Sequence, residues 1–509
     1  MVVGVLITLG TTSYSQVTPL RFAPTRSTAG FTRVSELQAG LEFTNRVAPE
    51  RYLTNQIYLN GSGVALGDMN GDQRPDIFLA APDGLSAVFL NQGGWKFTRS
   101  NDALPASQPG LDATGVVLAD LDGDVDLDAL VNTVAQGTHV WLNDGQGRFR
   151  AMEAPLNVGH AGMSLALADA DADGDLDLYV TNYRPTTIRD DPAGKFTLRH
   201  EPTGPRVVAY NGRSTSEPDL VGRFYVTPAG VKENGEPDVL FLNDGQGHFS
   251  AVRWTGGAFV DESGQPLVAP PYDWGLSVLF RDLNDDGRPD LYLSNDFESP
   301  DRFWINESAR GGPLRFRAAP ARSLRHTSAF AMGADAADVN RDGHTDFLVL
   351  DMLSRAHLSR NQQVDNLPPS RHQPGEIEER FQFSANSLFL GRGNGTYAEL
   401  GRLTGLAASE WSWTPVFLDV DLDGWEDLLV SNGHELDMMD ADLIQQAERM
   451  KNQRRMPARE LLELRKLFPR LATPNVAFRN RGNLAFSDES ASWGFDTRNV
   501  TQGLSLIHI

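Results

Sequence analysis

The chain has 509 residues and no cysteine, and its 67 acidic residues against 45 basic ones leave a formal net charge of −22. Without cysteine there is no disulfide framework, thiolate metal site or cysteine nucleophile. The acidic balance argues against nucleic acid, whose phosphates call for Lys and Arg, and no apolar run reaches the ~18 residues of a transmembrane helix.

In chain order, Val2 to Leu9 is a short apolar stretch followed by Ser13, Tyr14 and Ser15. It reads as the end of a secretory signal whose charged start is missing. Residues 1–15 are therefore expected to be a signal-peptide remnant and 16–40 a linker, with one repeat domain over 41–509. Leu41-Glu42-Phe43 reads as an isolated fourth strand that would close a ring by pairing with the last repeat.

From there one block recurs six times: a short apolar strand, an acidic nonapeptide, then a second apolar strand. The nonapeptides are DMNGDQRPD from Asp68, DLDGDVDLD from Asp120, DADADGDLD from Asp169, DLNDDGRPD from Asp282, DVNRDGHTD from Asp338 and DVDLDGWED from Asp419. Most blocks continue into a third strand and a hairpin, as in AVFLNQGGWKF, HVWLNDGQGRF, VLFLNDGQGHF and SLFLGRGNGTY, whose Asn-Asp-Gly and Gly-Asn-Gly steps tolerate positive φ. Four strands per repeat define a propeller blade. The terminal QGLSL repeats an opening strand, so the expectation is an all-β, seven-bladed β-propeller whose seventh blade is cut short.

Aspartates at positions 1, 3, 5 and 9 of a tight loop repel one another unless a hard cation sits among them, and Ca²⁺ suits six to eight such oxygens. Positions 1, 3, 5 and 9 are expected to give side-chain oxygens and position 7 a backbone carbonyl. The ligand sets are Asp68, Asn70, Asp72, Arg74 and Asp76; Asp120, Asp122, Asp124, Asp126 and Asp128; and Asp169, Asp171, Asp173, Asp175 and Asp177. The later three are Asp282, Asn284, Asp286, Arg288 and Asp290; Asp338, Asn340, Asp342, His344 and Asp346; and Asp419, Asp421, Asp423, Trp425 and Asp427. An EF-hand is excluded, because its position 12 needs Glu, and these loops place Leu79, Val131, Val180, Leu293, Val349 and Val430 there. Twenty-five of the 67 acidic residues lie in the six nonapeptides, so six Ca²⁺ would bring the formal charge from −22 to −10. Asn70, Asn284 and Asn340 leave three carboxylates per loop instead of four. Position 6 is glycine at 174, 287, 343 and 424 but Gln73 and Val125 in the first two loops. Loop 1 lacks both features and is expected to bind most weakly.

These blocks resemble FG-GAP/VCBS repeats, as in integrin α-subunit propellers. GSGVALGDMNGDQRPDIFLA, SAFAMGADAADVNRDGHTDFLVLDM and SEWSWTPVFLDVDLDGWEDLLVSNG more specifically resemble the bacterial cartilage-acidic-protein-like (ASPIC/UnbV) family, from about Leu41 to Leu506. The resemblance implies calcium at the positions named and brings no catalytic residue. The C-terminal module usual in that family is not in this sequence, and its roles do not carry over.

Three insertions, at about 184–236, 352–384 and 434–472, fall between second and third strands and so emerge on the face opposite the acidic loops. That face either binds a partner or caps the central channel. The third insertion reads as helical, with Asp440 capping Ala441–Lys451 and Pro457 opening a second helix that carries Leu461, Leu464, Leu467 and Phe468. Its basic run (Lys451, Arg454, Arg455, Arg459) reads as a solvated face, with a patch for an acidic glycan or protein as the other reading. The functional expectation is a secreted, extracellular or cell-surface (or periplasmic) calcium-binding scaffold for a protein or glycan. It is not expected to be an enzyme: no G-x-S-x-G or H-E-x-x-H occurs and the ten His form no metal motif. The alternative is a calcium-dependent polysaccharide-degrading enzyme or its accessory propeller.

Overall fold

The computed structural model describes residues 29–505 apart from 46, 106–109, 153, 203, 229, 298 and 364–380. The expected signal remnant, most of the linker and part of the second insertion lie outside the described residues. Each acidic repeat builds one four-stranded antiparallel sheet, in the expected order. Sheet I comprises Val64–Gly67, Asp76–Leu79, Ala87–Asn91 and Phe97–Ser100. Sheet II comprises Ala113–Ala119, Asp128–Thr133, Thr138–Leu142 and Arg150–Ala151. Sheets III, IV, V and VI open at Ala161–Ala168, Gly275–Arg281, Gly333–Ala337 and Ser412–Leu418. At the rim of sheet IV a fifth strand, Phe259–Val260, pairs in parallel with Phe316–Ala318 and covers the edge.

The second strand of each repeat follows position 9 directly and is the most apolar, because it is buried on both faces. Asp128–Thr133, Asp177–Tyr183, Asp290–Asn295 and Asp427–Asn432 are buried at every residue. Neighbouring sheets share their side chains in single clusters. Phe78 and Val88 of sheet I pack with Val131 and Trp141 of sheet II, and Leu348 and Leu388 of sheet V pack with Leu428 and Phe478 of sheet VI. A hydrogen-bond staple accompanies the packing. Asn143, Asn243, Asn306 and Asn480, each at or just past the end of a third strand, donate Nδ2 to Met69, Leu121, Ala170 and Val339 carbonyls in the acidic loop of the preceding sheet. In sheet V the equivalent residue is Gly391, and the Tyr397 hydroxyl supplies the donor to the Leu283 carbonyl instead. These asparagines do not have positive φ; Gly145, Gly147, Gly245 and Gly247 carry the turns.

The outer side of sheet VI (Leu429, Ala477, Trp493) is covered by Ala29, Phe31 and Leu504. The segment around 502 lies between sheets VI and I: Gln502 accepts from the Thr414 hydroxyl at 2.8 Å, while its side-chain amide donates to the Leu59 carbonyl. Leu41–Phe43 is not a strand, which corrects the expected closing element. A short helix, Glu36–Ala39, ends at Gly40 with φ of 73°, which turns the chain before an extended pair could form.

The three insertions fall between second and third strands, as expected. The first forms a three-stranded sheet (Phe196–Glu201, Gly204–Tyr210, Arg213–Ser214) and a hairpin, Phe224–Thr227 with Gly230–Glu233. The third holds the helix Ala441–Gln453, with the Asp440 carboxylate accepting from the Asp442 and Leu443 amides, then Ala458–Glu463 and a 3-10 turn, Leu464–Leu467. Arg465 is 7% exposed and fastens this insertion down. It donates to the Leu53 carbonyl, the Arg189 carbonyl and the Asp190 carboxylate. Leu59, Leu436 and Phe468 close the same junction with an apolar cluster. Among the described residues no helix is long and apolar enough to cross a membrane.

Candidate metal centres

All six acidic loops adopt one conformation, and the sequence pattern explains it. Positions 4 and 6 both have positive φ in every loop: Gly71 and Gln73, Gly123 and Val125, Ala172 and Gly174, Asp285 and Gly287, Arg341 and Gly343, Leu422 and Gly424. Each loop therefore has one glycine for two left-handed positions, spent at position 4 in the first two and at position 6 in the others. The displaced glycines of loops 1 and 2 thus do not signal a different turn. Val125, at φ of 77°, is the strained member, since a β-branched residue is an outlier there.

The aspartates divide their oxygens by position. At position 1 both carboxylate oxygens accept amides inside the loop, as Asp169 does from Asp173 and Gly174 at 3.0 and 3.1 Å. At position 5 one oxygen accepts the position 7 amide, as in Asp173 from Asp175 at 3.0 Å. Position 9 is at most 1% exposed in all six loops. One of its oxygens takes the position 2 amide at 2.9–3.2 Å. The other takes the amide at the end of the third strand at 2.7–3.0 Å. Position 9 thus fastens loop to sheet as well as facing the cluster. Burial pushes its carboxyl up, to about 7 at Asp177, Asp290 and Asp346 and to about 6 at Asp76, Asp128 and Asp427. Neighbouring loop carboxylates push in the same direction, and two backbone amides oppose them.

Three of the loops gather carboxylates closely enough to hold one ion. Ligand oxygens of Asp120, Asp122 and Asp128, of Asp169, Asp171 and Asp177, and of Asp419, Asp421 and Asp427 lie within 4.8 Å of one another. The other three carry Asn70, Asn284 and Asn340 at position 3, whose Oδ1 accepts the position 5 amide at 3.0–3.1 Å. An all-oxygen donor set of this kind suits a hard cation. A second observation agrees: Asp122 Oδ1, Asp126 Oδ1 and Asp171 Oδ1 are buried with no hydrogen-bond partner. A buried carboxylate oxygen without a donor is costly, and a metal ion bound in the second and third loops would satisfy it.

The loops differ in what else neutralises them. Arg74 and Arg288, at position 7, bond the position 5 carboxylates of their own loops, Asp72 and Asp286. In the sixth loop Arg479 reaches Asp421 and Asp423 from the third strand. Among the described residues the second, third and fifth loops have no such arginine, and the second and third hold the three orphaned carboxylate oxygens. The position 7 side chains of the fifth and sixth loops turn away from their own clusters. His344 pairs with Asp285 of the neighbouring loop at 2.7 Å, and Trp425 lies under the Arg341 guanidinium at 4.6 Å. At position 7 of the second loop the Asp126 carboxyl is pushed up to about 7 by burial and then by Asp124 and Asp128, and it stands outside the Asp120, Asp122 and Asp128 group. The sequence did not single out the stapling asparagines or Arg479; the recurring Asn after each third strand (FLN, WLN, WIN, FRN) is the signal that marks the staples.

A family model described as an FG-GAP-like repeat matches residues 68–131, 123–180, 231–293 and 282–349. Cartilage acidic protein 1 from Mus musculus is 26% identical over 314 residues, covering 54% of this chain and 46% of the relative. The Homo sapiens protein is 26% identical over 308 residues, covering 54% and 44%. The chain spans about half the length of the curated relatives it matches. Among solved structures, an Agrocybe aegerita lectin described as recognising non-reducing terminal N-acetylglucosamine is similar at 14% identity. It covers 83% of this chain and 77% of that one with a TM-score of 0.41. The V. cholerae biofilm matrix protein Bap1 is similar at 12% identity over 66% and 38%, with a TM-score of 0.29. Those scores are low, and the fold assignment rests on the sheets themselves. Residues 68–180 and 231–349 thus carry FG-GAP-like repeats, and about half of the chain is similar to cartilage acidic protein 1.

Proposed function

We propose that the chain is a secreted or cell-surface, calcium-loaded seven-bladed propeller that serves as a recognition or adhesion scaffold and catalyses no reaction. The observation that carries the calcium is the set of orphaned carboxylate oxygens inside the second and third loops. Calcium, with its tolerance for many oxygens, fits these flexible clusters better than magnesium. The place of a seventh blade is supported by the segment around Gln502, which bonds Thr414 in the first strand of sheet VI and Leu59 in the turn before sheet I, with Gly503 close against Val64 of sheet I. The insertion face is the recognition surface, for a protein or a glycan. Its floor is tied down by Arg465 and the Leu59–Leu436–Phe468 cluster, so the same insertions also cap the channel. Thermal unfolding with calcium, with chelator, and with magnesium in place of calcium tests the metal. A large loss of melting temperature on chelation, restored by calcium and not by equal magnesium, is expected. No change on chelation sinks the proposal.

A further inference from the structure

Where the second and third insertions meet, a cleft of about 70 Å³ is lined by Ser354, Gln363, Glu410, Trp411, Asp437 and Thr473. Two of these side chains have unanswered polar atoms. Trp411 is 8% exposed, and its indole Nε1–H has no hydrogen-bond partner; neither has the buried Thr473 hydroxyl. The contrast with Trp413 is direct. Both indoles stack on His434, at 4.1 and 5.9 Å between ring centroids, but Trp413 Nε1 donates to the Gly433 carbonyl at 2.6 Å. Trp141 and Trp304 also leave their indole N–H unpaired, within apolar blade clusters and away from this cleft.

The cleft is held rigidly around these groups. Trp411 is fixed by its stack on His434 and by its carbonyl, which accepts the Gly433 amide at 3.0 Å. Glu410 sits at φ of 82°, a strained backbone for a non-glycine residue. Its carboxylate is spent on the Ser354 hydroxyl at 2.6 Å and on Arg355. Asp437 is placed by its amide, which donates to the Pro469 carbonyl at 2.7 Å. What remains for a guest is a donor at Trp411, a hydroxyl of either sense at Thr473, and a carboxylate at Asp437.

That mixture selects a chemistry. An anion would meet Asp437 and Glu410, and a metal cation would meet the indole N–H. A hydroxyl group satisfies all three: it donates its one hydrogen to Asp437 and accepts from Trp411 and from the Thr473 hydroxyl. The volume holds about two water molecules at ~30 Å³ each, which is the hydroxylated edge of a sugar ring and not the ring itself.

We infer that this cleft is a carbohydrate subsite that takes adjacent hydroxyls of a sugar between Trp411 Nε1, Thr473 Oγ1 and the Asp437 carboxylate. The inference rests on the reading of the insertion face as a recognition surface, and it names the class of partner and its anchor. The test follows indole N–H signals by NMR in the full chain with calcium. Trp411 is assigned by Trp411→Phe, and methyl glycosides of glucose, galactose, mannose and xylose are titrated to millimolar concentration. At least one glycoside is expected to shift the Trp411 signal saturably. Asp437→Asn and Thr473→Val should each weaken it by about tenfold, the worth of one hydrogen bond to a charged or buried group. Unchanged calcium-dependent melting shows that these variants fold. An unmoved Trp411 signal, or one that exchanges only with water, overturns the subsite. Glycan or protein binding that Trp411→Phe leaves intact also overturns it, while the recognition reading stands. A folded, calcium-loaded chain that binds neither glycans nor proteins overturns both.

Discussion

The two kinds of loop aspartate predict opposite responses to calcium, and the third loop separates them. Asp177→Ala removes the acceptor for the Ala170 and Asn243 amides, which it holds at 2.9 and 3.0 Å. Two buried donors left unpaired cost ~1–3 kcal/mol each, so a loss of about 2–6 kcal/mol is expected in chelator as well as in calcium. Asp171 Oδ1 has no partner in the protein, and burial and then Asp173 already push its carboxyl up. In chelator Asp171→Ala should therefore cost nothing or stabilise slightly. In calcium at a hundred times the site's dissociation constant it should lose about 2.7 kcal/mol of ligand-derived stability. Urea unfolding followed by tryptophan fluorescence, with calcium and with chelator, gives the four numbers. Equal destabilisation by Asp171→Ala in both conditions would refute the division of labour. So would an Asp177→Ala variant that is harmless in chelator.

The left-handed backbone at position 6 predicts that Val125→Gly stabilises by ~1 kcal/mol. Gly174→Ala, at φ of 108° with nothing within 4 Å of the added carbon, should lose a similar amount for backbone reasons alone; equal melting of both variants and the parent would contradict the trade of glycines. Loop 1, with Arg74 on Asp72, should bind calcium more weakly than loop 3, so Asp76→Ala should release less calcium by equilibrium dialysis than Asp177→Ala. Burial holds His434 down at about 4, well below its ordinary 6.5. The folded chain resists its protonation, so its contribution is full above pH 6.5 and falls as pH drops toward 4, by up to about 3 kcal/mol. His434→Gln should lose that slope relative to the parent in chelator. Arg465→Met leaves Asp190 buried without its cation, a loss of ~3 kcal/mol or more; limited proteolysis should then cut within 441–467 while the blades persist.

The repeats were legible because each one packs the same few decisions into nine residues. The apolar second strand after position 9, the apolar position 12 and the hairpin glycines fix strand, face and turn locally, so the six sheets follow directly from the pattern. The helix capped by Asp440 was legible for the same reason: a cap and its amides are neighbours in sequence. What the sequence hid depends on partners far along the chain. Arg479 reads as a strand residue until it meets Asp421 and Asp423, more than fifty residues earlier. Arg465 reads as one more cation of a basic helix until it joins Leu53 and Asp190. The first insertion gave no sign of its small sheets, because hairpins such as Phe224–Thr227 with Gly230–Glu233 carry half-exposed residues with little alternation. The failed strand at Leu41–Phe43 is the converse case: its three residues fit a strand, and the Gly40 turn beside them decides against it.

The two faces of the blades are built on opposite principles, and this bears on where recognition belongs. On the acidic face most recurring polar groups have a use within the fold, the orphaned carboxylate oxygens of the second and third loops apart. Position 9 binds two amides, the staple asparagines bind the next loop, and His344 and Trp425 tie loop to loop. A surface whose polar groups are committed to its own geometry has little left with which to discriminate a partner. The insertion face is held by a few buried anchors, Arg465 and the Leu59–Leu436–Phe468 cluster, and leaves polar atoms such as Trp411 Nε1 unanswered. An unanswered donor on a rigid frame costs stability that only a guest can return. On the proposed reading the acidic loops therefore supply the frame, and the insertions supply the specificity.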